Sequence, residues 1–301
     1  MYDKSDPRAG LSTASSATTA PVWSHYTPAD YERFYERAPQ ESGDWGRSWF
    51  VRGANGIVVY SELNPGAVLA RQGQIDEWVL LQPDPETAAT VTAGGETRTV
   101  AGFSVTFVPP GDSTVTIDRG GRFVRLYTTR SDDLVALCPN NAAHAVRHEN
   151  VPAFAPWPVP KDGYRVRSYS LDVPDEPGRF GRIWRCTTFM VNYLAPQQGP
   201  RDITKLSPHH HDDFEQYSLA VQGSFIHHMR WPWTPDMRIW RRDEDAFCGT
   251  PSVAVIPPPA IHTTRGMDPG TNQLVDIFSP PRMDFSQKPG WVLNADDYPM
   301  P

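Results

Sequence analysis

The chain has 301 residues, with 28 lysines and arginines against 35 aspartates and glutamates, so its formal charge is -7. A mildly acidic chain without a basic stripe excludes nucleic acid as the main partner, because phosphate binding needs a concentrated positive surface. Hydrophobic residues make up 39% of the chain, which is enough for a globular protein with a sizeable buried core. The 31 prolines disfavour helix interiors, so they exclude a helical bundle and favour many short strands.

The sequence contains no recognisable membrane or export signal. No run approaches the roughly 18 apolar residues that a membrane helix needs, and the N-terminus lacks the apolar centre of a signal peptide. The three cysteines are too few and too scattered for a disulfide framework. We therefore expect a cytoplasmic protein without a membrane partner.

The first 45 residues are predicted to form a flexible tail followed by one helix. Residues 1–20 are rich in Ser, Thr and Ala and show no apolar period. Thr27 and Pro28 are suited to begin a helix, and aromatic residues at positions 31, 34 and 35 would give it one apolar face.

Two strand-rich regions follow. Residues 46–130 and 166–285 contain short β-branched and aromatic runs that Gly, Pro and Asp turns separate. Residues 131–165 contain five prolines and lack this pattern, so they are predicted to be a linker, and residues 286–301 a C-terminal tail. We therefore predict two all-β domains joined by the linker.

The two regions also resemble each other. Val108-Pro109-Pro110-Gly111 in the first is matched by Ile256-Pro257-Pro258-Pro259 in the second, 148 positions later. A repeated anchor of this kind indicates two copies of one all-β unit.

The segment from Ser207 to Gly223 carries the most informative chemistry. His209 and His211 alternate, so on a strand their side chains lie on the same face and can share a metal ion. His262 ends a later segment that begins as an apolar strand and is stiffened by prolines. These three histidines are the predicted metal ligands.

This pattern resembles the cupin superfamily, whose first motif reads His-x-His, a few residues, Glu, then Gly, and whose second reads Pro-x-Gly-x-x-His. His209 and His211 match the first motif, and Pro257 and His262 match the second, although Pro259 replaces its glycine. The resemblance implies an all-β fold of two tandem jelly-roll barrels with a few short helices. It also implies a metal site in the C-terminal barrel.

The fourth ligand depends on the direction of counting. Counting forward from His211 selects Glu215, whereas counting back from Gly223 selects Gln216. Glu215 shares strand parity with apolar residues such as Tyr217, and a carboxylate is the better ligand for a divalent metal. We therefore predict Glu215 as the fourth ligand, with a β-bulge before Gly223.

The N-terminal barrel is predicted to be degenerate. Arg71-Gln72-Gly73-Gln74 stands where the first motif requires histidines, and Thr114 occupies the position of the last histidine. Glu77 alone cannot hold a transition metal. We therefore expect this barrel to be metal-free and structural.

Further residues are candidates for roles around the predicted metal site. Of the neighbours His227 and His228, one should face the barrel interior, and we assign His227 to proton transfer. Arg230, which several tryptophans follow, is assigned to the anionic end of the substrate. Asp276, within an apolar run, could orient a ligand histidine, act as a base or pair with an arginine.

The resemblance and the Trp- and Arg-rich stretch favour an Fe(II) dioxygenase acting on a small enolisable or aromatic oxygenated acid. The ligand set also suits Mn(II), Zn(II) or Ni(II). One alternative is a Zn(II)- or Mn(II)-dependent isomerase or lyase acting on a keto-sugar acid. Another is a metal- or ligand-binding protein without turnover. The expected partners are a small anionic substrate and a second copy of the chain, since cupin barrels commonly form homodimers.

Overall fold

Two antiparallel β-barrels dominate residues 24–149 and 151–301, which are the residues that the computed structural model describes. The predicted all-β fold is therefore confirmed, whereas the flexible tail predicted for residues 1–20 lies outside the described residues. The α-helices of the described residues are α1 (Asp132–Val135) and α2 (Met283–Ser286), with 3-10 turns at Phe34–Glu36, Asn141–His144 and Met237–Ile239. None of the described helices has the length and apolarity needed to cross a membrane.

The first barrel is made of two facing sheets. Its strands are β2 (Glu41–Gly43), β3 (Gly46–Arg52), β4 (Gly56–Leu63), β5 (Val68–Gln74), β6 (Trp78–Gln82), β7 (Ala88–Ala93), β8 (Glu96–Ala101), β9 (Ser104–Val108), β10 (Gly111–Arg119), β11 (Gly121–Thr128) and β12 (Arg167–Ser170). The larger sheet has the order β12-β9-β6-β11-β4-β3-β2, and the smaller has the order β5-β10-β7-β8. Apolar side chains that include Trp78, Leu80 and Tyr127 pack together in its interior.

The second barrel repeats this plan. Its strands are β1 (Asp30–Arg33), β13 (Arg182–Arg185), β14 (Met190–Tyr193), β15 (Gln197–Gln198), β16 (Glu215–Gln222), β17 (Ser224–Arg230), β18 (Glu244–Gly249), β19 (Ser252–Ile256), β20 (Ile261–Gly266) and β21 (Thr271–Ser279). The larger sheet has the order β1-β19-β16-β21-β14-β13, with β15 paired to β21, and the smaller has the order β18-β17-β20.

The barrels exchange one strand each, which corrects the predicted domain boundaries. β1 precedes the first barrel in the chain but pairs with β19 of the second, and β12 follows the linker but pairs with β9 of the first. The described part of residues 131–165 contains α1 and one 3-10 turn but no strand.

The helix predicted after Thr27 is wrong, because residues 30–33 form β1. An isolated helix of this length is marginal in water, whereas pairing with the edge of β19 satisfies the backbone of β1. The aromatic side chains of this segment pack into two different cores and do not form one face of a helix. Tyr31 packs against the interior of the second barrel, and Phe34 packs between the barrels.

The two larger sheets pack face to face. Their contact is an extensive apolar cluster to which both barrels contribute, including Val58, Tyr60, Val79, Leu81 and Val124 from the first and Leu219, Val253, Val255, Val275 and Ile277 from the second. Phe34 stacks on Tyr60, with ring centroids 5.2 Å apart. Both large sheets are therefore covered on both faces, once by the barrel interior and once by the other barrel.

Two buried carboxylates join the barrels at this contact. Glu77 of the first barrel accepts hydrogen bonds from the Thr187 N–H (2.9 Å) and the Tyr298 hydroxyl (2.8 Å). Glu215 of the second barrel accepts one from the Ala54 N–H of the first. The residues predicted to be a C-terminal tail, 286–301, are thus part of the fold, with Tyr298 only 1% exposed.

Gly53 of the first barrel lies directly against side chains of the second barrel. A Cβ atom at this position would clash with the Tyr217 hydroxyl and the Glu215 carboxylate, both of which are buried.

We expect Gly53→Ala to lower the free energy of unfolding by about 1–3 kcal/mol, a typical cost of overpacking, as measured by urea denaturation. Gly270→Ala is the control, because its Cβ would meet only the flexible Asp268 side chain, and it should change stability by less than about 0.5 kcal/mol. Equal stability of both variants would contradict this account of the contact.

Candidate metal centre in the second barrel

Three histidines converge inside the second barrel. The segment that carries His209 pairs with the start of β20, where the His209 N–H donates to the His262 carbonyl (3.1 Å) and the His262 N–H donates to the His209 carbonyl (2.7 Å). His211 follows two residues later along the same extended segment. One potential ligand nitrogen of each histidine lies within 4.8 Å of those of the other two. Among residues 24–149 and 151–301, this is the one cluster of His, Cys, Asp or Glu with such metal-ligating geometry.

Backbone carbonyls set the tautomers of two of these rings. His209 Nδ1 lies 2.9 Å from the Ser207 carbonyl, and His262 Nδ1 lies 2.9 Å from the Ala260 carbonyl. A carbonyl oxygen only accepts, so each Nδ1 carries the proton and each Nε2 keeps its lone pair. This is the arrangement by which proteins orient metal-binding histidines. The residues present therefore fit a divalent metal ion.

Burial keeps the third ring neutral. His211 is 7% exposed, and burial lowers its pKa well below the ordinary value, with a further contribution from the positive charge of Arg282. Its ring lies against the Phe214 ring, at 4.4 Å between centroids. A neutral imidazole is the form that binds a metal.

Gln216, not Glu215, lies beside the histidines, which corrects the predicted fourth ligand. The Gln216 Oε1 atom lies 3.0 Å from His211 Nε2. This distance is that of a hydrogen bond between the ring and the amide oxygen. It also equals the separation of about 3 Å between two ligand atoms that are bound at about 2.1 Å to one ion and at right angles to each other. Glu215 points away from the cluster and contacts Ala54 of the first barrel.

The physical reason lies in the two-sided burial of β16. Glu215, Tyr217 and Leu219 do share one face of this strand, as predicted, but that face packs on the first barrel. The other face, which carries Gln216 and Ser218, lines the barrel interior. The predicted bulge is present between Ala220 and Gln222, but it does not turn Glu215 inward.

A hydrogen-bond network holds the Gln216 amide. Its Nε2 donates to the Ser218 hydroxyl (2.9 Å) and to Asp276 Oδ1 (3.0 Å), and the Ser218 hydroxyl donates to the same Oδ1 atom (2.8 Å). Asp276 lies beside Ser218 in the β16–β21 register. Of the three roles considered for Asp276, orientation of a ligand is nearest to this arrangement, although the residue that it contacts is a glutamine.

A cavity of about 240 Å³ opens beside the cluster. Its walls include His209, His262, Gln216, Asp276, Arg201, Thr264, Phe180 and Phe225. This volume is below the roughly 300–1,000 Å³ of pockets for drug-sized ligands. The cavity therefore suits a small molecule.

Arg201 brings a positive charge to this cavity, and the sequence offered no signal for it. Three neutral oxygens accept hydrogen bonds from its guanidinium: the Thr264 carbonyl (2.8 Å), the Ser207 hydroxyl (3.0 Å) and the Lys205 carbonyl (3.2 Å). A lone arginine in a loop before the histidine motif has no periodicity or spacing to mark it. Only the fold brings it to the cavity wall.

Arg230 is wrongly predicted as the residue that holds the substrate. Its side chain is 68% exposed and pairs with Asp243 on the outside of the barrel. The tryptophans that follow are also outside the cavity wall, where Trp233 and Trp240 stack on each other with centroids 4.8 Å apart. Strand parity explains this position, because the inward residues of β17 include Phe225 and His227 but not Arg230.

His227 faces the interior, and His228 faces out towards Asp245. His227 is fully buried and is absent from the cavity wall, but its Nδ1 lies 3.0 Å from the Thr264 hydroxyl, which belongs to that wall. Burial, followed by the nearby His262, lowers the pKa of His227 to about 3, so the ring is neutral. Its position suits it to orient Thr264 rather than to meet a substrate directly.

The first barrel holds no equivalent cluster among its described residues. Trp78, which follows Glu77 as Gln216 follows Glu215, fills the interior with its indole ring. Arg71, at the position expected for a histidine, pairs with Asp133 in an open cleft of about 440 Å³. This cleft is larger than the cavity of the second barrel, but its opposite charges neutralise each other and none of the three histidines lines it.

Comparison with known proteins supports the fold. No protein-family model matches the chain, and no curated protein matches it. Similar solved structures include a variant of the Bacillus subtilis oxalate decarboxylase, with 13% identity over 84% of this chain and 78% of that chain and a TM-score of 0.56. The Lactobacillus farciminis oxalate decarboxylase in complex with formate has 15% identity over 86% and 88%, with a TM-score of 0.53.

A third similar structure is AerE from Microcystis aeruginosa, with 8% identity over 79% of this chain and 94% of that chain and a TM-score of 0.50. The Mn(II) centres of the Bacillus subtilis oxalate decarboxylase are the subject of another matched structure. At these identities the likeness establishes the fold alone. The chain has the two-barrel cupin fold, as the sequence resemblance implied.

Two substitutions test the ligand assignment. We expect His262→Ala to stay folded and to lose the bound metal, because the core does not need the ion to fold and the substitution keeps the backbone pairing with His209. Glu215→Gln should retain about one equivalent of metal, like the unchanged protein, because this side chain faces the other barrel. Elemental analysis of protein purified without chelators gives the metal content. Loss of metal from Glu215→Gln would place Glu215 among the ligands after all.

Proposed function

We propose that the second barrel is the active site of a divalent-metal-dependent enzyme that acts on a small anionic oxygenated acid. The observation that carries the proposal is the convergence of three imidazoles and one amide oxygen at the wall of a small cavity. A divalent ion held there would polarise a substrate oxygen or bind O2 beside it.

The charges around the cavity support an anionic substrate. Three neutral imidazoles and an amide oxygen leave the positive charge of a divalent ion uncompensated by its own ligands. Arg201 adds a guanidinium to the same cavity, a group that binds carboxylates through paired N–H donors. Asp276 supplies one negative charge in return, so the site keeps a net attraction for an anion.

The residues of the chain have distinct roles in this proposal. His209, His211, Gln216 and His262 hold the ion. Arg201 binds and orients the anionic end of the substrate. Thr264 presents a hydroxyl at the cavity wall and is oriented by His227 from behind. Phe180 and Phe225 cover the cavity with apolar surface and limit the entry of water.

Two reaction classes are compatible with this arrangement. The first is the predicted Fe(II)-dependent dioxygenase, which consumes O2. The second is an O2-independent isomerase or lyase that uses Mn(II) or Zn(II). The likeness to oxalate decarboxylases, one of them studied through its Mn(II) centres, favours this second class.

To test this proposal, metal-free protein is loaded separately with Fe(II), Mn(II) and Zn(II). Each metal form is then incubated with a panel of small keto, enolisable and catecholic acids, in air and under nitrogen. Oxygen uptake and loss of substrate by NMR are measured, with His262→Ala as the control. We expect turnover in at least one metal form and none in the control. Turnover that needs oxygen identifies the dioxygenase, and turnover under nitrogen identifies the isomerase or lyase. Stoichiometric metal binding without turnover of any acid would contradict enzymatic function and leave a binding protein.

Arg201 and Arg230 form a matched pair for testing the anion site. We expect Arg201→Gln to raise the KM for an anionic substrate about 10-fold or more, because a charged hydrogen bond contributes about 1.5–3 kcal/mol. Arg230→Gln should leave KM unchanged, because its partner is Asp243 at the surface. Before a substrate is known, the affinity of the metal-loaded protein for formate or acetate can serve as the measurement. Similar behaviour of the two variants would contradict the role given to Arg201.

A further inference from the structure

The hydrogen bonds of the Gln216 side chain fix one orientation of its amide group. A primary amide offers one carbonyl acceptor and two N–H donors, and both donors face acceptors in the barrel wall, the Ser218 hydroxyl and Asp276 Oδ1. The carbonyl oxygen is therefore directed to the opposite side, where it lies 3.0 Å from His211 Nε2.

Reversal of the amide would be strongly unfavourable. It would place the carbonyl oxygen against the Asp276 carboxylate and turn an N–H group towards the histidine nitrogens. An amide nitrogen with its protons is not a metal ligand. A neutral hydrogen-bond acceptor in place of Asp276 would define the orientation less strongly, because hydrogen bonds to charged groups are roughly twice as strong as neutral ones.

Asp276 also supplies the negative charge that the ligand set lacks. Glu215, the carboxylate next to Gln216 in sequence, faces the first barrel. The Asp276 carboxylate is 9% exposed and is separated from the ligand oxygen only by the amide group. The carboxylate polarises the Gln216 amide, and this makes the amide oxygen a stronger metal ligand. A carboxylate behind a ligand histidine raises the basicity of that histidine in the same way.

We propose that Asp276 is a positioning residue of the metal centre, which fixes the Gln216 carbonyl oxygen towards the ion and places the compensating negative charge one hydrogen bond behind it. Gln216 and Asp276 together thus replace the single ligand carboxylate that the sequence led us to expect. This inference rests on the proposed function, because it needs a metal at the three histidines.

The role of Asp276 can be tested by substitutions that move the negative charge from Asp276 to Gln216. Asp276→Asn removes the charge and allows the Gln216 amide to reverse. The double variant Gln216→Glu/Asp276→Asn moves the carboxylate to the ligand position and the amide behind it, so the net charge of the original pair is kept. Ser218→Ala is the matched control, because it removes the hydroxyl that is hydrogen-bonded to both the Gln216 Nε2 and Asp276 Oδ1 but leaves the contact between Gln216 and Asp276 and the negative charge in place.

The measurement is the affinity of each metal-free protein for Mn(II), from the electron paramagnetic resonance signal of the unbound ion, with Zn(II) titrated in competition. We expect Asp276→Asn to weaken Mn(II) binding about 10- to 100-fold, as loss of a residue behind a metal ligand typically does. The double variant should recover most of that loss. Ser218→Ala should weaken Mn(II) binding clearly less than Asp276→Asn does, because the negative charge and the hydrogen bond from Gln216 to Asp276 both remain.

Several results would overturn the inference. Binding by Asp276→Asn within about 2-fold of the unchanged protein would remove Asp276 from the centre, since loss of such a residue typically costs at least about 10-fold. A double variant that is folded and still binds weakly would show that charge and orientation are not what Asp276 supplies. If Asp276→Asn alone does not fold, the double variant decides in the same way. An unchanged protein that binds neither metal would overturn the proposed function itself, whereas normal binding by that protein and by Asp276→Asn would overturn only this inference.

Discussion

The face-to-face packing of the two larger sheets is the constraint on which the rest of the molecule depends. Each sheet buries one face in its own barrel and the other against its neighbour, and the exchange of β1 and β12 ties the two barrels together. Isolated polar groups are costly in such a contact unless they are hydrogen-bonded. Glu77 and Glu215 meet this condition, because each accepts a backbone N–H of the opposite barrel.

The same constraint decides the chemistry of the second barrel. Because Glu215 is used in the contact between barrels, the residue that faces the histidines from the start of β16 is the neutral Gln216. A negative charge reaches the centre only from β21, through Asp276. The centre is therefore more positive near the ion than a centre with a ligand carboxylate, which suits the anionic substrate proposed for it.

The two barrels show how one fold supports a site in one copy and a packed core in the other. In the first barrel, Trp78 occupies the interior next to Glu77, and its ring packs on Tyr127 at 5.1 Å between centroids. In the second barrel, the corresponding Gln216 leaves space beside the histidines for a cavity of about 240 Å³. The change from a large apolar side chain to a smaller polar one separates a barrel with a packed interior from one with a cavity.

The sequence by itself determined the all-β architecture, the two related halves and the three histidines, because strand periodicity, proline turns and the His-x-His spacing are local properties of the chain. It also identified β16 and its alternation correctly. Only the tertiary structure decided which face of β16 is inside, since an apolar face next to a second barrel has the same pattern as one inside a barrel. Pairing between distant segments also decided that residues 30–33 form β1 instead of a helix and that Asp276 of β21 contacts Gln216 of β16. The predicted Arg230 lies on the outside of the barrel, whereas Arg201, which no sequence pattern marked, lines the cavity. Each of these outcomes depends on pairing between residues far apart in the chain, which no local pattern encodes.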